Sequence, residues 1–432
     1  MSAELISILV LAVVFVIATT RSINMGVLSF AAAFGVGTLA ANMDADEIFA
    51  GFPGDLFVVL VGVTFLFAIA RANGTTDWLV DAAVRLVRGR VALIPWVTFA
   101  ITALLTAIGA VSPAAVAIVA PVALGFAAQY GIHPLLMGAM VVHGAQAGGF
   151  SPISVYGTIV NGIVARERLG GSEITLFLAS FVVNLVIAAV VFVVLRKRQV
   201  ASAPAEEREL VAAGTGGPPT TTGLAGTGTR ERIRLNAPRI ATLTSLAVLV
   251  VATLVFDLDV GLTAMTLAVV LSVIWPATSK KAVGEVTWPT VLLICGVLTY
   301  VGVLQEMGTI EWAGEGVGGI GAPLIAALLL CYIGAIVSAF ASSVGIMGAL
   351  IPLAVPFLAL GTVGPVGMIC ALAVSATVVD VSPFSTNGAL VLANAREVDR
   401  DSFFRQLLVY GGIMVAVVPA VAWLVFIVPG FG

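Results

Sequence analysis

The sequence SPISVYG at residues 151–157 recurs as SPFSTNG at residues 382–388, and the two segments share the pattern S-P-x-S-x-x-G. Both segments lie within long apolar runs. Proline inside a helix removes a backbone hydrogen bond and crowds the preceding turn, at a cost of about 3 kcal/mol. The two segments therefore predict a break in each of two matching helices, and this pair of breaks decides the fold.

The match between the two parts of the chain extends beyond these segments. A constant shift of 231 residues aligns Ser112 with Ser343 without a gap, together with further pairs of prolines, phenylalanines and methionines. Apolar composition alone would rarely align these residues together, so we interpret the chain as two repeats. We expect an N-terminal repeat at residues 1–198 and a C-terminal repeat at residues 239–432.

Composition indicates a lipid environment. Hydrophobic residues make up 60% of the chain and charged residues 10%, whereas soluble domains usually carry about 25% charged residues. The apolar runs each approach the roughly 20 residues that a helix needs to cross a bilayer core. We therefore predict an all-α integral membrane protein within a lipid bilayer, and the net charge of −3 gives no reason to expect nucleic acid as a partner.

Within each repeat we predict five spanning helices, one of them broken, and one re-entrant hairpin. The hairpins are expected at about 91–131 and 321–360, and the broken helices at about 134–165 and 365–395. The first hairpin region contains no Asp, Glu, Lys or Arg that would mark a loop in water, which favours a tip inside the protein over two full crossings. Residues 199–238, rich in Gly, Thr, Pro and Ala, predict a flexible cytoplasmic linker.

The number of crossings and the basic residues predict the orientation. An odd number of crossings per repeat makes the second repeat enter from the opposite side, which gives two inverted-topology repeats. With the N-terminus outside, every Lys and Arg except Arg166 and Arg168 lies on the cytoplasmic side, where such residues are enriched. We therefore expect a multi-pass protein of the cell inner (cytoplasmic) membrane with both termini extracytoplasmic.

Hairpin tips and helix breaks are the places where we expect a binding site. A broken helix exposes carbonyl oxygens that can bind a cation and N–H groups that can bind an anion. Neither apolar block contains Lys or Arg, so helix ends, bound cations or both must neutralise an anionic substrate. The candidate substrate-binding residues are Ser112, Pro113, Ala114, His143, Gln146, Ser154, Tyr156, Thr158, Ser343, Ser385, Thr386 and Asn387.

A cation is expected in the same region. Na⁺ is the expected coupling ion, with H⁺ as an alternative, and no other cofactor is expected. The candidate Na⁺ ligands are Ser112, Gly149, Ser151, Ser342, Ser343, Asp380 and Ser382.

Two ionisable residues near the breaks leave alternatives open. Asp380 is the one acidic residue between positions 316 and 395, and carboxylates within a membrane are costly and usually functional. It could ligate Na⁺, accept a coupling proton or hold a neighbouring serine, whereas its repeat counterpart is Gly149. His143 lies on the same side of its helix as Gln146, and either contacts the substrate or a proton, or makes a buried hydrogen bond between helices.

The sequence resembles the ion transporter superfamily and, within it, the malonate/dicarboxylate carrier (MatC-like) family, which is related to divalent-anion/sodium symporters. The segments that carry the resemblance are FPG at 52–54, GTTDW at 74–78, GAVSPA at 109–114 and GGFSPIS at 148–154. Those symporters have a Ser-Asn-Thr motif at both hairpin tips. Here only the serine is retained, at Ser112 and Ser343.

The resemblance implies a secondary active transporter for a small carboxylate, such as malonate or a C4-dicarboxylate, coupled to Na⁺ or H⁺. It also implies an elevator-type alternating-access mechanism and a homodimer. A cation/proton antiporter that uses Asp380 is the alternative function. We do not expect an enzyme or catalytic residues, because the chain has two histidines, no HExxH sequence and no paired carboxylates within the apolar segments.

Overall fold

A computed structural model of the protein describes most of the chain. The described residues are 2–21, 23–86, 91–201, 235–309, 312, 323–339, 343, 346–348, 350, 351, 354, 358, 363–395 and 398–430. Ser342, a predicted Na⁺ ligand, lies outside them, as do residues 202–234 of the predicted linker and most of the second predicted hairpin tip.

All regular elements of the described residues are helices. The N-terminal part contains α1 (Ala3–Arg21), α2 (Met25–Ala40), α3 (Ala45–Ala50), α4 (Gly54–Ala72), α5 (Thr75–Leu86), α6 (Ile94–Ala107), α7 (Ser112–Tyr130), α8 (Pro134–Gly148), α9 (Val155–Arg166) and α10 (Glu173–Ala201). The C-terminal part contains α11 (Ala237–Phe256), α12 (Val260–Ile274), α13 (Pro276–Gly284), α14 (Trp288–Glu306), α15 (Pro323–Ser338), α16 (Pro365–Val378), α17 (Thr386–Asn394) and α18 (Arg400–Ala422). Short 3₁₀ turns lie at Val91–Leu93 and Val379–Val381, and a π-helical turn at Trp423–Ile427 follows α18.

The helices have the length and composition of a membrane protein. Among the described residues, seven helical segments are long and apolar enough to cross a bilayer: α4, α7, α10, α11, α14, the α16–α17 pair, and α18 with its π turn. One face of α10 shows how such a helix meets lipid, because apolar side chains spaced four residues apart are each 50–68% exposed, at Ile174, Leu178, Val182, Val186 and Val190. These features agree with the predicted all-α, multi-pass class.

Two hydrophobic clusters fill the interior. The hairpin cluster joins α6, α7, α8, α10, α15, α16 and α18, with Leu105, Met140 and Leu407 at its centre. The frame cluster joins mainly α2, α4, α9 and α11 to α14, with Leu60 and Tyr300 fully buried in it. The first predicted hairpin and α15 therefore lie in one cluster, whereas described residues 346, 347, 350 and 351 of the second predicted hairpin lie in the frame cluster.

Facing glycines bring two pairs of frame helices into backbone contact. Between α2 and α14, a Cβ atom added to Gly296 would lie 2.0 Å from the carbonyl oxygen of Gly26. Between α4 and α12, a Cβ atom added to Gly62 would lie 2.6 Å from the carbonyl oxygen of Gly261. Small residues allow membrane helices to approach this closely, so both contacts depend on glycine.

The turn between α6 and α7 lies inside the protein. Ala110 is 2% exposed, Val111 is 8% exposed, and Ser112 begins α7. Gly109 has a φ of 115°, a conformation that glycine adopts readily and other residues avoid. The turn therefore places the start of α7 deep in the molecule.

The breaks occur where the Ser-Pro pairs predict them. Residues 149–154 separate α8 from α9, and a 3₁₀ turn followed by residues 382–385 separates α16 from α17. Both ends of the predicted linker at 199–238 are helical, since α10 continues to Ala201 and α11 begins at Ala237. Polar and basic side chains do not stop a helix that leaves the bilayer, so the apolar run ends before the helix does.

Candidate functional site

The two breaks have the same local structure. Ser154 caps α9 and Ser385 caps α17, each with an extended backbone. The Ser154 hydroxyl accepts a 3.2 Å hydrogen bond from the N–H of Gly157, and Ser385 accepts one of 3.3 Å from Gly388. Each hydroxyl also donates a 2.5 Å hydrogen bond to the carbonyl oxygen five residues earlier. Both serines, predicted as substrate ligands, thus use their hydroxyls to close the break, as serine N-caps do.

The shared glycine of the pattern is explained by the same geometry. A Cβ atom added to Gly157 would lie 1.9 Å from the carbonyl oxygen of Ser151, and one added to Gly388 would lie 1.9 Å from that of Ser382. The first turn of each half-helix therefore packs directly on the backbone of the break. Any larger residue at either glycine would force the two apart.

A buried carboxylate lies next to the second break. Asp380 is 5% exposed and belongs to the 3₁₀ turn before Ser382. Its Oδ1 accepts a 2.5 Å hydrogen bond from the Ser343 hydroxyl. Its Oδ2 accepts one of 2.7 Å from the Gln146 side-chain amide, and the Asn387 amide approaches the same oxygen at 3.4 Å.

A hydroxyl from the first hairpin completes the group. The Asn387 amide donates a 2.8 Å hydrogen bond to the Ser112 hydroxyl, and the Gln146 amide lies 3.5 Å from it. We call Ser112, Gln146, Ser343, Asp380 and Asn387 the Asp380 centre; each is at most 5% exposed. The structure thus brings the start of α7, the end of α8, the start of α17 and Ser343, from the second predicted hairpin, to one point.

Two amide oxygens in the Asp380 centre are left without a partner. Oε1 of Gln146 and Oδ1 of Asn387 are buried and accept no hydrogen bond, although both amide nitrogens donate. Buried polar atoms are nearly always paired, so this point of the molecule can accept a cation or a hydrogen-bond donor. The described residues contain no cluster of three His, Cys, Asp or Glu side chains that could hold a metal, so any cation here would meet one carboxylate and neutral oxygens.

Tyr156 borders the Asp380 centre. Its side chain is 3% exposed, interacts with Ser112 and lies near Asp380. Its ring packs against Phe150, with 5.7 Å between ring centroids. Tyr156 therefore forms an aromatic wall beside the first hairpin tip.

The other predicted ligands lie outside the centre. Ser151 donates a 2.5 Å hydrogen bond to the Ala107 carbonyl of α6, and Thr158 donates to Val155 within α9. Ser382 accepts a 3.3 Å hydrogen bond from the N–H of Phe384. The remaining positions are the buried C-cap Gly149, the half-buried Pro113 and Ala114, and Thr386, whose side chain is exposed.

His143 occupies a separate polar cluster between helices. Its Nδ1 lies 2.9 Å from Asn184 Oδ1 on α10, and its Nε2 lies 2.6 Å from the Tyr410 hydroxyl on α18. The Asn184 amide nitrogen donates to the Ser180 carbonyl, so its oxygen accepts from Nδ1–H and Nε2 accepts from Tyr410. Both ring nitrogens are occupied, which matches the alternative of a buried interhelical hydrogen bond.

Sequence reasoning missed the partners of His143. Ser180 donates a 3.0 Å hydrogen bond to the Gln146 carbonyl and thereby ties this cluster to the helix that carries Gln146. Asn184 and Ser180 stand one turn apart within an otherwise apolar span. That isolation is the signal that could have identified them, because a polar side chain in a membrane helix needs a partner.

Comparison with known proteins supports a carrier. Residues 1–149 match the sequence model of the family described as dicarboxylate carrier protein MatC N-terminus, which confirms the resemblance over that part of the chain. No curated protein sequence matches the chain significantly.

Two solved transporters share the fold. The YdaH transporter of Alcanivorax borkumensis has a TM-score of 0.59 and 16% identity, with coverage of 92% of this chain and 96% of that chain. MtrF of Neisseria gonorrhoeae, whose structure illuminates a class of antimetabolite efflux pumps, has a TM-score of 0.60 and 12% identity, with coverage of 100% and 97%. Together with the carrier match, this fold indicates a transporter and not an enzyme.

Proposed function

We propose that the protein is a secondary active transporter of a small carboxylate, coupled to Na⁺ or H⁺. The observation that carries this proposal is the Asp380 centre, where a buried carboxylate contacts residues next to the two helix breaks and Ser343 of the second predicted hairpin. Intramembrane carboxylates of this kind mark ion and substrate pathways. The match to the dicarboxylate carrier family supports a dicarboxylate, such as malonate or a C4-dicarboxylate, as the substrate.

Charge balance supports coupling. The two apolar blocks contain no Lys or Arg, and Asp380 adds a negative charge where an anionic substrate would bind. Like charges repel strongly in the low dielectric of a protein interior. A cation or proton at Asp380 would remove this repulsion, so that binding of the carboxylate would depend on the ion.

Helix ends supply the groups that would hold the substrate. The helices α7, α9 and α17 all begin near the Asp380 centre, at Ser112, Val155 and Thr386. Their first N–H groups and the positive ends of their dipoles favour a carboxylate. This arrangement would bind an anion without a basic side chain.

The packing supports an elevator-type movement. The Asp380 centre is built largely on helices of the hairpin cluster, while the glycine contacts tie α2, α4, α12 and α14 into the frame cluster. We propose that the hairpin cluster moves across the bilayer against the frame cluster, which would also form a homodimer. The two repeats would be inverted, both termini would be extracytoplasmic, and the membrane would be the cell inner membrane.

A cation/proton antiporter is the second candidate function. Asp380 favours it, because among the residues whose burial is described it is the one buried acid, and it could exchange a proton for a metal ion. The two functions differ in whether a carboxylate crosses the membrane.

Counterflow in proteoliposomes tests the proposal. Liposomes loaded with unlabelled malonate or succinate should accumulate the labelled compound, and an inward Na⁺ or H⁺ gradient should increase uptake. Liposomes without protein are the control. Cation–proton exchange in the absence of any carboxylate counterflow would refute carboxylate transport and support the antiporter.

A further inference from the structure

An apolar groove of about 460 Å³ runs between α6 and α10, and we call it the α6–α10 groove. Both helices pack against α8, whose Gly148 lies at the floor of the groove. Trp96 and Ala100 line it from α6, and Phe177 and Phe181 line it from α10. Every residue of the lining is aromatic, aliphatic or glycine, so the groove suits hydrocarbon better than water.

The groove has the length of one leaflet of a bilayer. Its α6 side extends from Trp96 to Ala107, which is about 16 Å at a helical rise of 1.5 Å per residue. Half of a hydrocarbon core about 30 Å thick is about 15 Å. The α6–α10 groove therefore matches the path of one acyl chain from the membrane surface toward the bilayer midplane.

A second cavity, of about 320 Å³, lies at the outer end of this groove. It is lined by Pro95 near the start of α6, by Tyr130 near the turn after α7, and by Phe192 and Arg196 of α10. The Arg196 guanidinium carbon lies 5.6 Å from the centroid of the Phe192 ring, and that ring centroid lies 5.4 Å from the Trp96 ring centroid. The charged cavity and the apolar groove therefore meet at this pair of rings.

The outer cavity offers positive charge at the level of lipid headgroups. The Arg196 side chain is exposed and forms no ion pair with a carboxylate of the described residues. In the sequence, Arg196 begins the basic run RKR at 196–198. Tyr130, which is 44% exposed, adds a phenol hydroxyl to the same cavity. The predicted orientation places this end on the cytoplasmic side, where membranes carry anionic lipids.

We propose that the α6–α10 groove binds one anionic phospholipid of the cytoplasmic leaflet, with its phosphate at Arg196 and one acyl chain along the aromatic side chains. Basic pockets between membrane helices on the cytoplasmic side recognise anionic headgroups in this way. A zwitterionic lipid carries its own cation beside the phosphate and gains less from Arg196. The site is separate from the Asp380 centre, and the proposal does not depend on the transported substrate.

The shape of the groove favours an acyl chain over a helix of a second copy. Rings from the two walls meet across the groove, with 6.5 Å between the centroids of Phe99 and Phe181. A helix with its side chains is about 10 Å wide, so it cannot enter between these walls. Free phosphate could bind at Arg196 but would leave the apolar groove unfilled.

The bound chain would also support the first helix break. The inner end of the groove is lined by Gly148 and Ala107. Gly148 ends α8, and the Ala107 carbonyl accepts the hydrogen bond from Ser151 of the break. An acyl chain would cover both residues, so we expect the lipid to raise the midpoint temperature of thermal unfolding.

Native mass spectrometry of the purified, delipidated full-length protein tests the proposal. Dioleoyl phosphatidylglycerol and dioleoyl phosphatidylcholine are added separately, because they share acyl chains and differ in headgroup charge. We expect one phosphatidylglycerol per chain, with an affinity about fivefold higher than that for phosphatidylcholine, as one basic residue near a membrane surface provides. Inorganic phosphate should not displace it.

Two variants separate the headgroup from the acyl chain. Arg196→Ala should lower the affinity for phosphatidylglycerol about fivefold, whereas Arg21→Ala, at an exposed position in the last turn of α1, should leave it unchanged. Ala100→Trp should fill the groove and weaken binding of both lipids about tenfold or more. Val182→Trp is its control, because Val182 is 51% exposed on the adjacent face of α10.

Several results would overturn the proposal. Equal affinities of the wild type for the two lipids would do so without any variant, as would displacement of phosphatidylglycerol by inorganic phosphate. Unchanged phosphatidylglycerol binding in Arg196→Ala or Ala100→Trp, shown to be folded by size-exclusion chromatography, would also contradict it. Conversion of a dimer to monomers by Ala100→Trp at unchanged lipid affinity would assign the groove to a second copy of the chain instead.

Discussion

Gln146 donates a 2.7 Å hydrogen bond to Asp380, which joins the end of α8 to the turn that follows α16. These two positions precede the two helix breaks, so one hydrogen bond connects the breaks through their side chains. Asp380 is thereby in contact with both halves of the chain. The predictions below test this connection and the local structure that supports it.

Asp380→Asn should strongly reduce coupled uptake while the protein remains folded. The substitution retains the size of the side chain but removes the charge that would attract a cation. Loss of one partner of a buried charge pair costs about 2 kcal/mol or more, so we expect uptake to fall at least ~30-fold. Radiolabelled uptake in proteoliposomes measures it. Asp46→Asn, at an exposed position of α3, should transport normally; equal uptake by the two variants would contradict the role of Asp380.

Ser112→Ala should impair transport far more than Ser382→Ala. Ser112 accepts a 2.8 Å hydrogen bond from Asn387 within the Asp380 centre, whereas Ser382 accepts only a 3.3 Å bond from a nearby backbone N–H. A buried donor left unpaired costs about 1–3 kcal/mol. We therefore expect Ser112→Ala to lower the initial uptake rate about tenfold. A larger loss in Ser382→Ala would show that the substrate approaches the second break instead.

Gly388→Ala should disrupt the second break. The added methyl group would lie 1.9 Å from the Ser382 carbonyl oxygen, and forced overpacking of this kind costs about 3 kcal/mol. Thermal unfolding in detergent should show a clear decrease in the midpoint temperature. Gly412→Ala in α18 is the control, because a Cβ atom there meets nothing within 4 Å. Equal midpoints for the two variants would mean that the break can rearrange.

Tyr410→Phe should lower stability more than it changes ion affinity. The substitution removes the hydroxyl that lies 2.6 Å from His143 Nε2, and a buried acceptor left unpaired costs about 1–3 kcal/mol. The midpoint temperature of thermal unfolding should therefore decrease, whereas the affinity for ²²Na⁺ should change little. A large loss of Na⁺ affinity at unchanged stability would place His143 in the ion pathway and refute the interhelical role.

Much of the fold could be predicted from the sequence, because the length of an apolar run and the position of a proline determine where a helix spans or breaks without distant contacts. The Ser-Pro pairs predicted both breaks, and Asp380 stood out as a lone acid in an apolar block. The capping function of Ser154 could also have been predicted from the sequence, because a serine that accepts from the N–H three residues later is a local pattern. The exposure of Thr386, a predicted ligand, could not be read from the sequence, because adjacent helical residues face different directions and its neighbour Asn387 is the buried one.

Long-range partners were not readable in the same way. His143 contacts Asn184, 41 positions away, and Tyr410, 267 positions away. No periodicity or spacing within one helix specifies such contacts, because they depend on how helices cross. The choice between a proton contact and a structural hydrogen bond for His143 therefore required the three-dimensional structure.

The composition of the Asp380 centre has a consequence for biosynthesis. Ser112 and Gln146 are synthesised long before Asn387 and Asp380, which follow 275 and 234 positions later. The serine hydroxyl that closes each helix break, by contrast, bonds to a carbonyl oxygen only five residues earlier, so this bond can form soon after the segment leaves the ribosome. The first half must therefore enter the bilayer before Ser112 and Gln146 meet their partners from the second half, so that insertion of the last helices completes both the site and the assembly of the protein.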